Sequence, residues 1–124
     1  GIGETIRVSL TGDPLKEVSA AKDILKAVGK GSGVELVSCP TCGRTTIDLV
    51  RAASMIEDAV RDIDKNVKVA VMGCVVNGPG EAMEADIGIA GGDKCAVIFK
   101  KGKVLRKISE DEIVPELLKE IEKL

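Results

Sequence analysis

The sequence predicts an α/β (or α+β) fold, because segments with alternating apolar residues are interspersed with segments whose apolar residues recur at helical spacing. Of the 124 residues, 44% are hydrophobic, which is enough to bury a core without disulfide bonds. The chain has no tryptophan, no tyrosine and a single phenylalanine, Phe99. The core is therefore expected to be built from aliphatic side chains.

The first elements predicted are a strand and a helix. Residues 5–10 alternate apolar and polar side chains, as strands do. Asp13 has the side chain of a good helix N-cap, and Pro14 suits the first helical position. Apolar residues at helical spacing then continue to Val28, so the helix is expected to end near that residue.

A glycine-rich segment at 29–33 ends the predicted helix and has the composition of a linker. We therefore place a domain boundary there, which gives a first domain at 1–30 and a second domain at 31–124. The chain starts at Gly1 rather than at a methionine. We accordingly expect it to be a segment of a longer protein.

The second domain repeats the same patterns and ends in a hairpin and a helix. The hairpin is expected to turn at Lys101 and Gly102. Ser109 and Glu112 have the spacing of a capping box, which predicts that the last helix begins close to them. The predicted segments are strands at 34–38, 67–73 and 85–91, a helix at about 46–64, and the hairpin at 95–108.

Composition excludes several classes of function. The net charge is −2, from 18 basic and 20 acidic residues, so the electrostatic footprint of a nucleic-acid-binding protein is missing. Without histidine, Ser-His-Asp and Cys-His catalysis and imidazole-ligated zinc are ruled out. No apolar run approaches the roughly 18 residues that span a bilayer, and no signal peptide is recognisable. We expect a cytoplasmic protein that does not enter the membrane.

Cys39 and Cys42 form a C-x-x-C motif where a predicted strand gives way to a helix. Three interpretations compete. Thioredoxin-type dithiols use this spacing at such a junction. Metal and iron–sulfur sites use it because two neighbouring thiolates grip one centre. The third interpretation is two small buried residues that lie near each other by chance.

Cys74 and Cys95 bear on that choice. Cys74 lies on a separate Gly/Pro-rich segment, and a third thiol of this kind favours a cluster over a dithiol centre. A zinc site would need Cys95 as its fourth ligand. Cys95 lies in an alternating strand, where a cysteine usually serves as a small hydrophobic residue. A structural zinc module nevertheless stays open as an alternative.

Glu81 follows Cys74 by seven residues, across a predicted loop at 77–80. A carboxylate is a harder and weaker ligand for iron than a thiolate, and in a cubane cluster it would mark one iron as exchangeable. The spacing alone slightly favours the interpretation that Glu81 is a solvated carboxylate that does not bind iron. Backbone N–H groups of the loop are suited to face sulfide or an anionic ligand.

Several motifs together resemble those of the bacterial 4-hydroxy-3-methylbut-2-enyl diphosphate synthase family. The motifs are SCPTCGR, then GCVVNGPGE, then ADIGIAGG, preceded by GIGETIRVSLTGDPLKEV. The resemblance covers the whole chain. It implies the last strand and helix of a TIM-type barrel, followed by a small sheet-and-helix iron–sulfur domain that resembles the domain of sulfite and nitrite reductases.

The resemblance also implies an activity, the penultimate step of the non-mevalonate isoprenoid pathway. Family enzymes reductively open 2-C-methyl-erythritol 2,4-cyclodiphosphate with two electrons from flavodoxin or ferredoxin. Their [4Fe–4S] cluster is held by three cysteines and a glutamate, which correspond to Cys39, Cys42, Cys74 and Glu81. The simpler alternative is a non-catalytic electron-transfer module, against which Glu81 and Asn77 argue.

Further roles rest on the same resemblance. Asn77 resembles a residue that faces the substrate, so Asn77 and Glu81 are the expected catalytic residues. Arg7 and Ser9 resemble contacts to the diphosphate, which suits their charge and hydrogen-bonding capacity. Family enzymes are homodimers, and this chain without the rest of the barrel is expected to be inactive.

Overall fold

The computed structural model describes residues 2–76 and 78–124, and it describes only the backbone of Pro79 and Glu81. The chain divides into two compact units, the residues up to Gly33 and Val34–Leu124. No helix within these described ranges has the length and apolar content needed to cross a bilayer.

The first unit contains one helix, α1, at Pro14–Ala27. The side chain of Asp13 accepts a hydrogen bond from the Leu15 N–H at 2.9 Å, so the predicted N-cap is confirmed. The predicted strand at 5–10 is wrong: these residues adopt no regular secondary structure. A strand requires a hydrogen-bonded neighbour, and no described segment pairs with residues 5–10.

The second unit is built on a five-stranded sheet in the order β1-β2-β3-β4-β5. The first three strands are parallel, and β4 and β5 are added antiparallel, which confirms the predicted strands and hairpin. Lys101 and Gly102 form the hairpin turn, with φ of 47° and 75° as a two-residue turn of this kind requires. The strands are β1 Glu35–Ser38, β2 Lys68–Met72, β3 Ile87–Gly92, β4 Cys95–Lys100 and β5 Lys103–Ser109.

The described part of this unit also has two longer helices, one short helical turn and a 3₁₀ turn at Glu110–Glu112; the helices are α2 at Leu49–Val60, α3 (the short turn) at Gly78–Glu81 and α4 at Ile113–Glu122. Helix α2 is shorter than predicted at both ends. It begins after Asp48, whose side chain accepts from the Arg51 N–H and caps the helix. The segment at 77–80 was predicted as a loop, but α3 gives its described part a helical turn.

The central strands β2 and β3 are buried on both faces of the sheet. Along β2, Val69 and Val71 belong to an aliphatic cluster with α2 and α4, whereas Ala70 and Met72 lie in a second cluster around Phe99. Phe99 is fully buried, and the expected aliphatic core is otherwise confirmed. On β3, a Cβ at Gly88 would lie 2.4 Å from Phe99 Cζ, so only glycine fits beneath the ring.

Helix α4 is tied to the edge strand β5 by ion pairs. The guanidinium of Arg106 donates to Glu116 and, at 2.8 Å, to Glu120. Hydrogen bonds from Lys119 and Arg106 lower the pKa of Glu116 from its ordinary value of 4.5. Hydrogen bonds from Lys123 and Arg106 lower the pKa of Glu120 in the same way. Both carboxylates therefore stabilise the folded state in their charged form.

These shifts predict a loss of stability in acid. Because the folded-state pKa values lie below the ordinary value of 4.5, the stabilisation is fully present above that pH. It is lost as the pH falls through the folded-state values. We expect the urea concentration at the midpoint of unfolding to fall as the pH is lowered below about 4.5. The fall should be less steep for Arg106→Gln. Lys107→Gln removes an exposed charge on the same strand, and its urea midpoint should fall with pH as steeply as that of wild type. If the midpoint of Arg106→Gln also falls as steeply as that of wild type, the prediction is wrong.

Candidate metal centre

Parallel pairing of β1 and β2 brings two cysteine-bearing segments to one edge of the sheet. Ser38 at the end of β1 is in register with Val71, one residue before β2 ends at Met72. Cys39 therefore follows one strand, and Cys74 follows the neighbouring strand at the same end. Carboxyl ends of parallel strands are where α/β folds commonly hold ligands.

The three predicted cysteine ligands line one cavity of about 180 Å³. Cys39 and Cys74 are half-buried, and Cys42 is exposed. The lining residues are Cys39, Pro40, Cys42, Arg44, Met72, Cys74 and Gly78. Cys95 is not among the described lining residues. It begins β4 opposite Gly92, and its sulfur lies 2.8 Å from the place where a Cβ of Gly92 would stand.

Gly73 connects the two cysteine segments through both of its backbone groups. Its N–H donates to Cys39 Sγ at 3.2 Å, and its carbonyl accepts from the Thr46 N–H at 3.0 Å. A Cβ on Gly73 would lie 2.9 Å from Thr45 Oγ1. The position thus needs glycine because Thr45 occupies the adjacent space.

A tight turn holds Cys42. The Thr45 N–H donates to the Cys42 carbonyl at 3.0 Å, and the Cys42 N–H donates to Thr45 Oγ1 at 3.0 Å. A hydrogen bond from the Arg44 backbone N–H lowers the pKa of the Cys42 thiol, helped by the side chains of Thr45 and Arg44. The turn thus favours the deprotonated form of Cys42, and the thiolate is the form of cysteine that binds metals.

Helix α3 turns the chain just after Cys74. The Gly78 N–H donates to the Cys74 carbonyl at 3.2 Å, and the Ala82 N–H donates to the Gly78 carbonyl at 3.0 Å. A Cβ on Gly78 would lie 2.7 Å from Met72 Cβ, so glycine allows the turn to pack against the sheet. This contact fixes the backbone on the carboxyl side of Cys74.

The structure describes the remaining predicted site residues less completely. Asn77 and the side chain of Glu81 lie outside the described residues, although the backbone of Glu81 ends α3. Arg7 and Ser9 lie in the first unit and are exposed. Within the described part of the chain, no three cysteine, aspartate or glutamate side chains are grouped closely enough to hold a single metal ion.

Sequence analysis overlooked Gly73, Arg44 and Thr45 as parts of the site. Two of these residues, Arg44 and Thr45, could have been found from the sequence, because they lie within three residues of Cys42. Their role depends on the turn that brings them back to Cys42. The role of Gly73 depends on strand register, which the motif does not encode.

Comparison with known proteins places this site in a family. Residues 35–123 match the model of the GcpE protein C-terminal domain. A relative from Caldanaerobacter subterraneus subsp. tengcongensis, named 4-hydroxy-3-methylbut-2-en-1-yl diphosphate synthase (flavodoxin), is 62% identical over 125 residues, which cover 100% of this chain and 35% of the relative.

Relatives of the same name occur in other bacteria. The protein of Clostridium acetobutylicum is 58% identical over 100% of this chain and 36% of its own length. The protein of Geobacillus kaustophilus is 57% identical over 100% of this chain and 33% of its own length. This chain thus spans about a third of the relatives it matches. On the family match, which includes all three cysteines lining the cavity, the chain belongs to the GcpE protein C-terminal domain family.

Proposed function

We propose that this chain is the cluster-bearing part of a 4-hydroxy-3-methylbut-2-enyl diphosphate synthase. In that role it serves the two-electron reductive opening of 2-C-methyl-erythritol 2,4-cyclodiphosphate in isoprenoid biosynthesis. The observation that carries the proposal is one cavity lined by Cys39, Cys42 and Cys74, which come from two separate segments of the chain. The names of the relatives support the product and flavodoxin, and the substrate and the reductive ring opening are those implied by the family resemblance.

The residues present suit an iron–sulfur cluster. Thiolates are the usual ligands of such clusters, and two of the three cysteines, Cys39 and Cys74, are half-buried. The backbone N–H of Gly73 already donates to Cys39 Sγ, as backbone donors do at cluster sulfurs. Cys39, Cys42 and Cys74 would hold a [4Fe–4S] cluster, with Glu81 as the weaker fourth ligand. When bound, the cluster supplies the substrate with electrons.

The chain's own groups have defined tasks in this proposal. The turn at 42–45 lowers the pKa of Cys42 and so favours its thiolate, and Gly73 joins the two cysteine segments through its backbone hydrogen bonds. Asn77 faces the substrate and orients it by hydrogen bonding. Arg7 and Ser9 contact the diphosphate, whose charge suits a guanidinium and a hydroxyl.

The proposal extends to partners and context. Flavodoxin, printed in the names of the relatives, is the electron donor, and ferredoxin is the other donor class that fits. The first unit is the C-terminal end of a TIM-type barrel, to which it contributes α1, and 31–124 is a domain like those of sulfite and nitrite reductases. The full-length enzyme acts in the cytoplasm as a homodimer, without nucleic-acid or membrane partners.

A chimera tests the function directly. The matching third of the Caldanaerobacter synthase is replaced by this chain, and the product formed with reduced flavodoxin is quantified. We expect turnover by the chimera and none by the 124-residue chain alone. Iron and acid-labile sulfide are measured after anaerobic purification. A protein that binds zinc and holds no sulfide would refute the proposal.

In the same chimera, Glu81→Cys is expected to keep iron and sulfide but to lose most of the turnover. A thiolate binds iron more strongly than a carboxylate, so a site that only needed a fourth ligand would accept it. A site that needs an exchangeable ligand would not. Glu84→Cys, three residues beyond the end of α3, serves as the matched control for an added thiol. Wild-type turnover by the Glu81→Cys chimera would show that Glu81 is not the exchangeable ligand.

A further inference from the structure

The cavity that holds the three cysteines has two walls that differ in exposure. The outer wall is the segment 40–44, in which every residue is exposed, and it contributes Pro40, Cys42 and Arg44 to the lining. The inner wall comes from the end of β2 and the residues after it, and its lining residues Met72 and Gly78 are buried. A large molecule in solution therefore reaches the cavity from the side of the outer wall.

Arg44 gives the outer wall a positive charge. Among the described lining residues of the cavity, it is the only one with a charged side chain. The Thr45 N–H donates to the Cys42 carbonyl at 3.0 Å, and the Cys42 N–H donates to Thr45 Oγ1 at 3.0 Å, so the backbone that carries Arg44 belongs to a closed turn. A guanidinium keeps its charge at every pH at which the protein is folded. The outer wall thus presents a permanent cation on a defined backbone.

We propose that the outer wall is the surface on which the electron donor docks, with Arg44 pairing with a carboxylate of that donor. The partner that fits is a redox protein whose cofactor is bordered by acidic side chains, and the names of the relatives give flavodoxin as the donor. This inference rests on the proposed function, because it requires a cluster on Cys39, Cys42 and Cys74. Each encounter oxidises the donor by one electron and reduces the cluster by one, and two encounters provide the two electrons of the ring opening.

The exposure of the ligands favours the outer wall as the side of electron entry. Electron transfer slows steeply with distance, so a donor does best beside the ligand that lies nearest the surface. Cys42 is exposed, whereas Cys39 and Cys74 are half-buried. In the proposed function, the substrate is met by Asn77 and Glu81, which follow the inner wall in the chain. Donor and substrate would then approach the cluster from different segments.

Direct binding tests the docking surface without turnover. Purified flavodoxin is titrated by calorimetry into the chimera with the Caldanaerobacter synthase. For Arg44→Gln we expect binding about two- to fivefold weaker at low ionic strength, the range for one exposed ion pair, and a smaller difference at high salt. Arg44→Lys keeps the charge and should lie between this variant and wild type. The matched control is Arg61→Gln, an exposed arginine at the end of α2 and roughly 20 Å along that helix from its start, which should bind like wild type.

Turnover with two donors separates a role toward the donor from a role toward the substrate or the cluster. Reduced methyl viologen is a small cation that has no carboxylates to pair with Arg44. Arg44→Gln should therefore lose about two- to fivefold more of its kcat/KM with reduced flavodoxin than of its rate with methyl viologen. The loss with flavodoxin should appear as a higher KM for flavodoxin, because a charge at the rim of an interface acts mainly on association.

The outcomes distinguish this inference from the function on which it rests. If the wild-type chimera takes up no iron and sulfide and turns over with neither donor, the proposed function fails, and the inference fails with it. If Arg44→Gln binds flavodoxin as tightly as wild type, the function stands and the inference is wrong. Equal losses with both donors, or weaker binding by Arg61→Gln to the same degree, would also overturn it. Should Arg44→Gln lose its cluster, its binding is compared with that of the apo wild-type chimera, and equal affinities would again overturn the inference.

Discussion

Serine at Cys39, Cys42 or Cys74 is expected to abolish the uptake of iron and sulfide, whereas serine at Cys95 should leave it unchanged. The first three thiols line one cavity, and a hydroxyl is a poor substitute for a thiolate in binding iron. Cys95 lies on β4 against Gly92, where it packs as a small side chain. The measurement is iron and acid-labile sulfide per chain after anaerobic reconstitution.

Cys95→Ser is the internal control, because it makes the same chemical change in the same sheet. Circular dichroism of each apo variant should match wild type, which separates loss of ligation from loss of folding. A Cys95→Ser variant that loses its iron with the others would revive the zinc-type arrangement with four cysteines. A Cys74→Ser variant with normal iron would leave only the C-x-x-C pair, and the cluster assignment would fail.

The sequence predicted best those features of the fold that are determined by residues adjacent in the chain. Asp13 and Pro14 predicted the start of α1, and Lys101 and Gly102 predicted the hairpin turn, because caps and tight turns are set by neighbouring residues. The strand at 5–10 was wrong for the opposite reason. Alternation describes which faces a strand would present, but a strand forms only with a partner.

The sequence pointed to the three cysteines that line the cavity, but not to the framework around them. Spacing and exclusion of histidine chemistry indicated Cys39, Cys42 and Cys74, and the structure brings these three to one cavity. Gly73 gave no signal, because its role arises from the register between β1 and β2. Helix α2 was predicted too long because apolar spacing does not mark where a helix ends, whereas its start is set by the Asp48 side chain, which caps it.

The role of Gly73 leads to the second large effect. Gly73→Ala should reduce iron uptake and destabilise the apo chain by about 1–3 kcal/mol, as overpacking does in well-filled sites. The added Cβ would lie 2.9 Å from Thr45 Oγ1 and 3.0 Å from Thr45 Cγ2, so the threonine must move. That movement breaks its hydrogen bond with the Cys42 N–H. Gly73→Val should be more severe, with the cluster lost altogether.

Gly43→Ala is the matched control for the alanine substitution, since it lies inside the cysteine motif and a Cβ there meets no atom within 4 Å. It should bind iron as wild type does. The decisive comparison is the double variant Gly73→Ala with Thr45→Ala, because removing the threonine side chain beyond Cβ frees the contested space. If steric conflict is the cause, the double variant should be no worse than Thr45→Ala alone, a clear departure from additivity. Additive losses in iron content would mean that Gly73 acts through something other than its contact with Thr45, and the two cysteine segments would not be joined in the way proposed.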